Sequence, residues 1–205
     1  RPHEGAVLHG LPRDVRQDGR AVRCGHRLDA RPHARRHRDP RDEDVVIGPM
    51  VEGPHFEKVK SFIAITEQEG GKLVQGGKIH SDLGSGWYIE PTIFDNVTAD
   101  MTLFQQEVFG PILAVTTFTS DEEAVALANN SSYGLAASLY TESLKRAQRV
   151  SRAIRAGTVS INGFSEGDIT TPFGGFKQSG FGGRDKGLEA LQQYVQTKTI
   201  WYVQD

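Results

Sequence analysis

Three short segments hold the residues of this chain that are best suited to chemistry. Glu107 stands in Glu107-Val108-Phe109-Gly110-Pro111. Its carboxylate has two acceptor oxygens, a match for the paired hydroxyls of a vicinal diol. Phe173 opens a glycine-rich run, Pro172-Phe173-Gly174-Gly175-Phe176-Lys177-Gln178-Ser179-Gly180, preceded by Asn162-Gly163-Phe164. The third segment is Gly183-Arg184-Asp185. Gly174 and Gly175 suit close backbone approach or positive φ. Lys177 and Arg184 have the charge of phosphate binders, although a solvated or ion-paired structural role fits them better. Asp185 reads as a helix-start carboxylate that complements the helix dipole. The lone cysteine, Cys24, is the one thiol that could act as a nucleophile, and its arginine neighbours would favour the thiolate.

Composition limits what these residues can serve. The 205 residues carry 24 basic and 26 acidic side chains, for a net charge of −2, a balance that points to no nucleic acid and no membrane as partner. A single cysteine rules out an internal disulfide framework and fits a reducing, cytoplasmic setting. No apolar run approaches the ~20 residues of a membrane-spanning helix, and no signal peptide opens the chain. The first residue is Arg1, and the expectation is that the true start lies upstream.

The average conceals a boundary. Residues 1–42 contain 11 arginines, no lysine, 5 of the 7 histidines and 6 acidic residues, so this stretch is +5 and the remainder −7. They lack Phe, Tyr, Trp, Ile, Met, Ser, Thr, Asn and Lys altogether. Their sparse apolar residues follow neither a helical nor a strand period, so no core is expected from them. A basic arm for RNA is one reading, but such arms usually include lysine, serine or interleaved aromatics. The favoured reading is a frame shift in a GC-rich gene, because every residue type here except Cys24 can be encoded by a codon beginning with C or G.

From Asp44 onward the pattern is that of an α/β protein. Phe56, Val59, Phe62, Ile63 and Thr66 recur at helical spacing, and Gly70-Gly71 ends that helix. Leu73-Val74 begins a short strand, Trp87 to Phe94 reads as extended with Pro91 at an edge or bulge, and Ile112 to Phe118 reads as a buried strand. Ser120 and Glu123 form a capping-box pattern ahead of an alanine-rich helix. Leu135 to Tyr140 is a strand candidate. Thr141 or Ser143 then caps a helix lined by Leu144, Ala147, Val150 and Ile154, and Thr158 to Asn162 forms another strand. Such alternation predicts a mostly parallel sheet with covering helices. Arg184 to Tyr194 reads as helical, and Lys198 to Val203 as a β segment free to pair across a subunit edge.

In order and spacing, the three segments resemble the aldehyde dehydrogenase superfamily, and Ile89-Glu90-Pro91-Thr92 and Tyr133-Gly134-Leu135-Ala136 match further landmarks of that family. The resemblance covers roughly residues 43–203 and implies an aldehyde-dehydrogenase-like catalytic domain over residues 43–183. A C-terminal helix and oligomerisation strand over residues 184–205 would follow, and the atypical residues 1–42 would precede. It implies NAD or NADP as cofactor, with Glu107 on the nicotinamide ribose and Phe109 beside the nicotinamide ring. It also implies a small-molecule aldehyde as substrate, Phe173 in the substrate channel, and a homo-oligomer in the full-length form. A core aromatic remains the alternative for Phe173. The run from Glu166 to Lys186 is similar to bacterial gamma-glutamyl-gamma-aminobutyraldehyde and other aminoaldehyde dehydrogenases. There Glu166 and Asp168 would either favour a cationic aldehyde or simply be solvated.

The family reaction also needs a cysteine nucleophile in a Gly-Gln-x-Cys setting, a glutamate base and nucleotide-binding βαβ units, all upstream. Cys24 lacks the Gly-Gln pair and lies too close to Gly48, so no residue of this chain is assigned a catalytic role. The expectation is the C-terminal portion of such an enzyme, inactive alone. An assembly module that pairs with a full-length dehydrogenase, or a basic-arm nucleic-acid binder, would be the other classes.

Overall fold

The computed structural model describes residues 47–81, 85–164 and 167–204, together with the backbone of residues 5–9. Eight strands are described: β1 (Gly5–His9), β2 (Lys72–Gln75), β3 (Ile79–His80), β4 (Tyr88–Ile89), β5 (Thr92–Asp95), β6 (Ile112–Phe118), β7 (Ala136–Leu139) and β8 (Thr158–Ile161). The α-helices are α1 (Gly53–Gln68), α2 (Thr102–Gln105), α3 (Asp121–Asn129) and α4 (Leu144–Ala153). They fall into two compact units divided between Ser131 and Ser132.

In the first unit, α1 is the element around which the core forms. The five residues that the helical period singles out, Phe56, Val59, Phe62, Ile63 and Thr66, are all buried. Pro54 suits the first turn, where a missing N–H costs nothing. At the other end Gly70 adopts φ +96°, and the Gly71 N–H donates to the Thr66 carbonyl at 2.8 Å, which terminates the helix. The apolar face of α1 packs on Ile89, Phe94, Val97, Phe104, Val108 and Ile112.

That face covers a four-stranded sheet of order β1-β6-β5-β2. The central pair β5–β6 is parallel, with Thr92 opposite Ile112. The two flanking pairs are antiparallel, so the sheet is mixed and not largely parallel throughout. The outer strand β1 lies inside the segment from which no strand was expected. Its backbone pairs Gly5 with Phe118 and His9 with Ala114, and a ladder of main-chain hydrogen bonds needs no apolar period to form. Ile112 and Ala114 enter the α1 cluster, and Leu113 on the alternate face is also buried, as a strand covered on both sides requires.

The capping box ahead of α3 forms: the Glu123 N–H donates to Ser120 Oγ at 3.1 Å. The Glu123 carboxylate reaches back to the N–H and hydroxyl of Thr119, at 2.8 and 2.7 Å. Those bonds from Thr119 hold the carboxyl below its ordinary value. Their contribution is therefore present above the unfolded value and is lost as pH falls through the lowered one.

The second unit contains the parallel pair β7–β8 and helix α4. Ser143 caps α4 by accepting from the Arg146 N–H at 3.2 Å, and Thr141 instead accepts from the Ser143 N–H. Ala147 and Val150 are buried, but Leu144, which the helical period also placed on the apolar face, is exposed. The expected helix from Arg184 to Tyr194 shrinks to a 3₁₀ segment at Leu188–Gln193. Gly187, at φ +66°, interrupts its start. Lys198 to Val203 forms no ladder among the described residues, and Trp201, Tyr202 and Val203 stand exposed.

Close packing of α1 on the segment before β6 depends on Gly110. A Cβ there would lie 2.6 Å from Val59 Cγ1 and 2.8 Å from Cγ2. Gly110→Ala is expected to cost about 1–3 kcal/mol in chemical denaturation. Adding Val59→Ala should make the clash term non-additive, and strictly additive losses would contradict this packing.

Candidate functional site

The Glu107 segment is built from the core outward. Helix α2 begins at Thr102, whose N–H and hydroxyl both bond the Glu69 carboxylate, at 2.8 and 2.6 Å. Glu69 is the C-cap of α1, so one side chain fastens the start of α2 to the end of α1. After α2 the backbone becomes extended, with Gln106 at φ −120°. Val108 points inward and is 8% exposed, whereas Glu107 and Phe109 on either side of it are exposed.

Phe109 has φ +55°, a left-handed conformation that costs an L-residue about 1–2 kcal/mol. Burial of Val108 offers about 1.5–3 kcal/mol in the other direction. Two side chains of α1 grip the backbone itself. His55 Nε2 lies 2.7 Å from the Phe109 carbonyl oxygen, and Lys58 Nζ donates to the Glu107 carbonyl at 3.3 Å. A carbonyl oxygen can only accept, so His55 must carry its hydrogen on Nε2. The result is an exposed carboxylate and an exposed aromatic ring presented from one tethered turn. Sequence reasoning missed both tethers. Their i, i+3 spacing was visible, but nothing in a sequence tells which loop a polar helix residue will reach.

Phe173 lies in the second unit. An antiparallel bridge joins it to Asp185, with N–H to carbonyl distances of 2.7 and 2.6 Å. Its half-buried ring lies under Lys186, whose Nζ is 5.3 Å from the centroid. Asp185 is therefore part of a strand-like bridge and not the opening of a helix. Arg184 places its guanidinium 5.6 Å from the Phe176 ring centroid and donates to the Gly183 carbonyl, a structural role.

The glycine-rich run is laced to Gly134. The Gly134 carbonyl accepts from the N–H groups of Gly157 and Phe176, and its own N–H donates to Ser179 Oγ. Gly174 and Gly175 serve close approach: a Cβ on Gly174 would lie 2.7 Å from the Gly183 carbonyl oxygen. Asn162 holds Thr141 through both of its amide atoms, at 2.8 and 2.9 Å. The Asn162-Gly163-Phe164 segment is thus a clasp between the ends of β7 and β8.

Asp168 anchors its own turn. Its Oδ1 accepts from the N–H and hydroxyl of Thr170 and from the hydroxyl of Thr171. The Thr170 hydroxyl, foremost among these, holds the carboxyl below its ordinary value. Cys24 and Glu166 lie outside the described residues. Among the described residues no group of three or more His, Cys, Asp or Glu side chains could hold a metal ion, and no helix is long and apolar enough to cross a membrane.

Residues 13–200 match the aldehyde dehydrogenase family, so the match starts within the arginine-rich segment. The chain is 49% identical over 163 residues to aminoacetaldehyde dehydrogenase of Pseudomonas aeruginosa, covering 80% of this chain and 32% of that protein. It is 44% identical over 176 residues to betaine aldehyde dehydrogenase of Rhizobium leguminosarum, covering 85% of this chain and 36% of that protein. It superposes with TM-score 0.75 and 45% identity on an indole-3-acetaldehyde dehydrogenase of P. syringae solved with NAD+, covering 78% of this chain and 32% of that one. The chain thus spans about a third of the length of these relatives. With the α/β core, the Glu107 turn and the glycine-rich run all in place, the chain belongs to the aldehyde dehydrogenase family.

Proposed function

We propose that this chain is the C-terminal portion of an NAD(P)-dependent aldehyde dehydrogenase, which oxidises an aldehyde to a carboxylic acid. In this reading the first unit supplies a contact to the nicotinamide ribose, and the second unit supplies a residue of the substrate channel. The observation that carries the proposal is the exposed Glu107 carboxylate beside exposed Phe109 on one tethered turn. The pair fits the group: two acceptor oxygens suit the vicinal hydroxyls of a ribose, and a flat apolar ring suits the face of a nicotinamide. When bound, the nicotinamide supplies a hydride acceptor. Glu107 would fix the ribose, Phe109 would limit the tilt of the ring and exclude water, and Phe173 would line the path of the aldehyde. NAD and NADP are both compatible with these assignments, none of which touches the adenine ribose.

The reading also covers the ends of the chain. Residues 43–183 form the catalytic-domain portion, and residues 184–205 carry the segment that pairs with another subunit of a homo-oligomer. The run of exposed apolar residues from Ile200 to Val203, which joins no ladder among the described residues, supports this. Residues 1–42 read as the product of a shifted frame from their residue vocabulary, whereas the backbone pairing of Gly5–His9 and a family match from residue 13 weigh for native sequence. A cytoplasmic location fits the single cysteine.

The chain alone is expected to have no aldehyde-oxidising activity, because Cys24 lacks the surroundings of the family nucleophile. Purified 205-residue protein mixed with NAD and an aldehyde checks this by absorbance of the reduced cofactor. Turnover that disappears in Cys24→Ala would overturn it.

An aminoaldehyde substrate is the narrower form of the proposal. It is supported by the similarity to aminoacetaldehyde and betaine aldehyde dehydrogenases and by the ionised Asp168 on an exposed turn. In the intact parent enzyme, Asp168→Asn with Glu166→Gln should raise KM for cationic aldehydes about tenfold while sparing neutral ones, the scale of one lost charge contact. An equal loss for neutral aldehydes would count against it.

A further inference from the structure

The tethers between α1 and the Glu107 turn have a consequence for binding, which rests on the cofactor reading of Glu107 and Phe109. We infer that His55 and Lys58 are positioning residues, and that α1 acts as a splint that fixes the direction of the ribose-binding carboxylate. Glu107 and Phe109 are exposed, so packing of their own side chains contributes little to their direction. Direction must come from the backbone, and Phe109 sits in a conformation that an isolated peptide would leave.

Three attachments over the length of one helix oppose that escape. Glu69 at the C-terminal end of α1 fastens Thr102. Val59 in its middle packs against Gly110. His55 and Lys58 near its N-terminal end take the carbonyl oxygens of Phe109 and Glu107. These last two are one turn apart on α1, and they grip the carbonyls on either side of Val108. The two gripped peptide groups, Glu107–Val108 and Phe109–Gly110, bracket the left-handed turn, so rotation of the main chain on the C-terminal side of Glu107 is resisted at both ends of that turn. Lys58 also lies 5.9 Å from the Phe62 ring centroid, which limits the swing of its own side chain.

Amide hydrogen exchange in the 205-residue chain tests the inference. The reporters are Ile112 N–H, bonded to the Gly110 carbonyl, and Thr92 N–H, bonded to the Pro111 carbonyl. His55→Leu should accelerate their exchange about five- to tenfold, the scale of one lost hydrogen bond. Gly71 and Val97 amides should be unaffected. His55→Gln, which retains an Nε2 donor, should restore protection, and Lys58→Met should give a smaller acceleration at the same two reporters. Equal acceleration at Gly71 and Val97, or no rescue by glutamine, would overturn the inference; if His55→Leu fails to fold, Lys58→Met decides alone. Titration with nicotinamide mononucleotide separates this from the cofactor reading. Glu107→Gln should weaken the nucleotide-induced amide shifts at 107–110 and leave Ile112 exchange unchanged. Unweakened shifts in Glu107→Gln would sink the cofactor reading and leave the splint standing.

Discussion

The packing of α1 against the segment between α2 and β6 is the constraint on which the first unit depends. Val59 is fully buried at the point where Gly110 allows the chain to pass close by. The same helix seats Val108 in the core and holds the main chain at Glu107 and Phe109. If this contact were loosened, the left-handed turn at Phe109 would lose the interactions that offset its cost of about 1–2 kcal/mol. The start of the parallel β5–β6 pair would be affected as well, because the Thr92 N–H bonds the carbonyl of Pro111. Fold and candidate site therefore share one set of contacts.

The second unit follows a different principle. Its glycine-rich run is held mainly by main-chain groups: Gly134 takes two N–H donors, and Gly174 allows the backbone of Gly183 to approach. Side chains larger than hydrogen would push these strands of backbone apart. Phe173 is then set by a two-bond bridge to Asp185, and its ring is covered by Lys186.

Much of this was legible in the sequence where burial imposes a period. The apolar face of α1, the glycine stop at its end, the buried start of β6 and the Ser120–Glu123 box all follow from patterns whose physical cause is local. The resemblance pointed to Glu107, Phe109 and Phe173 as candidate site residues, and the structure presents the first two as exposed groups on one turn. What escaped was non-local. The partner of a strand cannot be read from its own residues, so β1 was missed and the antiparallel edges were not foreseen. Asp185 has the composition of a helix start, but pairing with Phe173 claims its backbone first. His55 and Lys58 look like ordinary polar positions on an amphipathic helix until the fold brings a carbonyl to each.

If α1 aims the Glu107 carboxylate at a nicotinamide ribose, as proposed, a crystal structure of the chain soaked with NAD should show it. Both ribose hydroxyls of the nicotinamide half are expected within about 3 Å of the Glu107 carboxylate oxygens, with Phe109 against the ring and both tethers intact. A ribose bound elsewhere on the chain, or a Glu107 turn that must leave His55 and Lys58 to reach it, would refute the proposed role of α1.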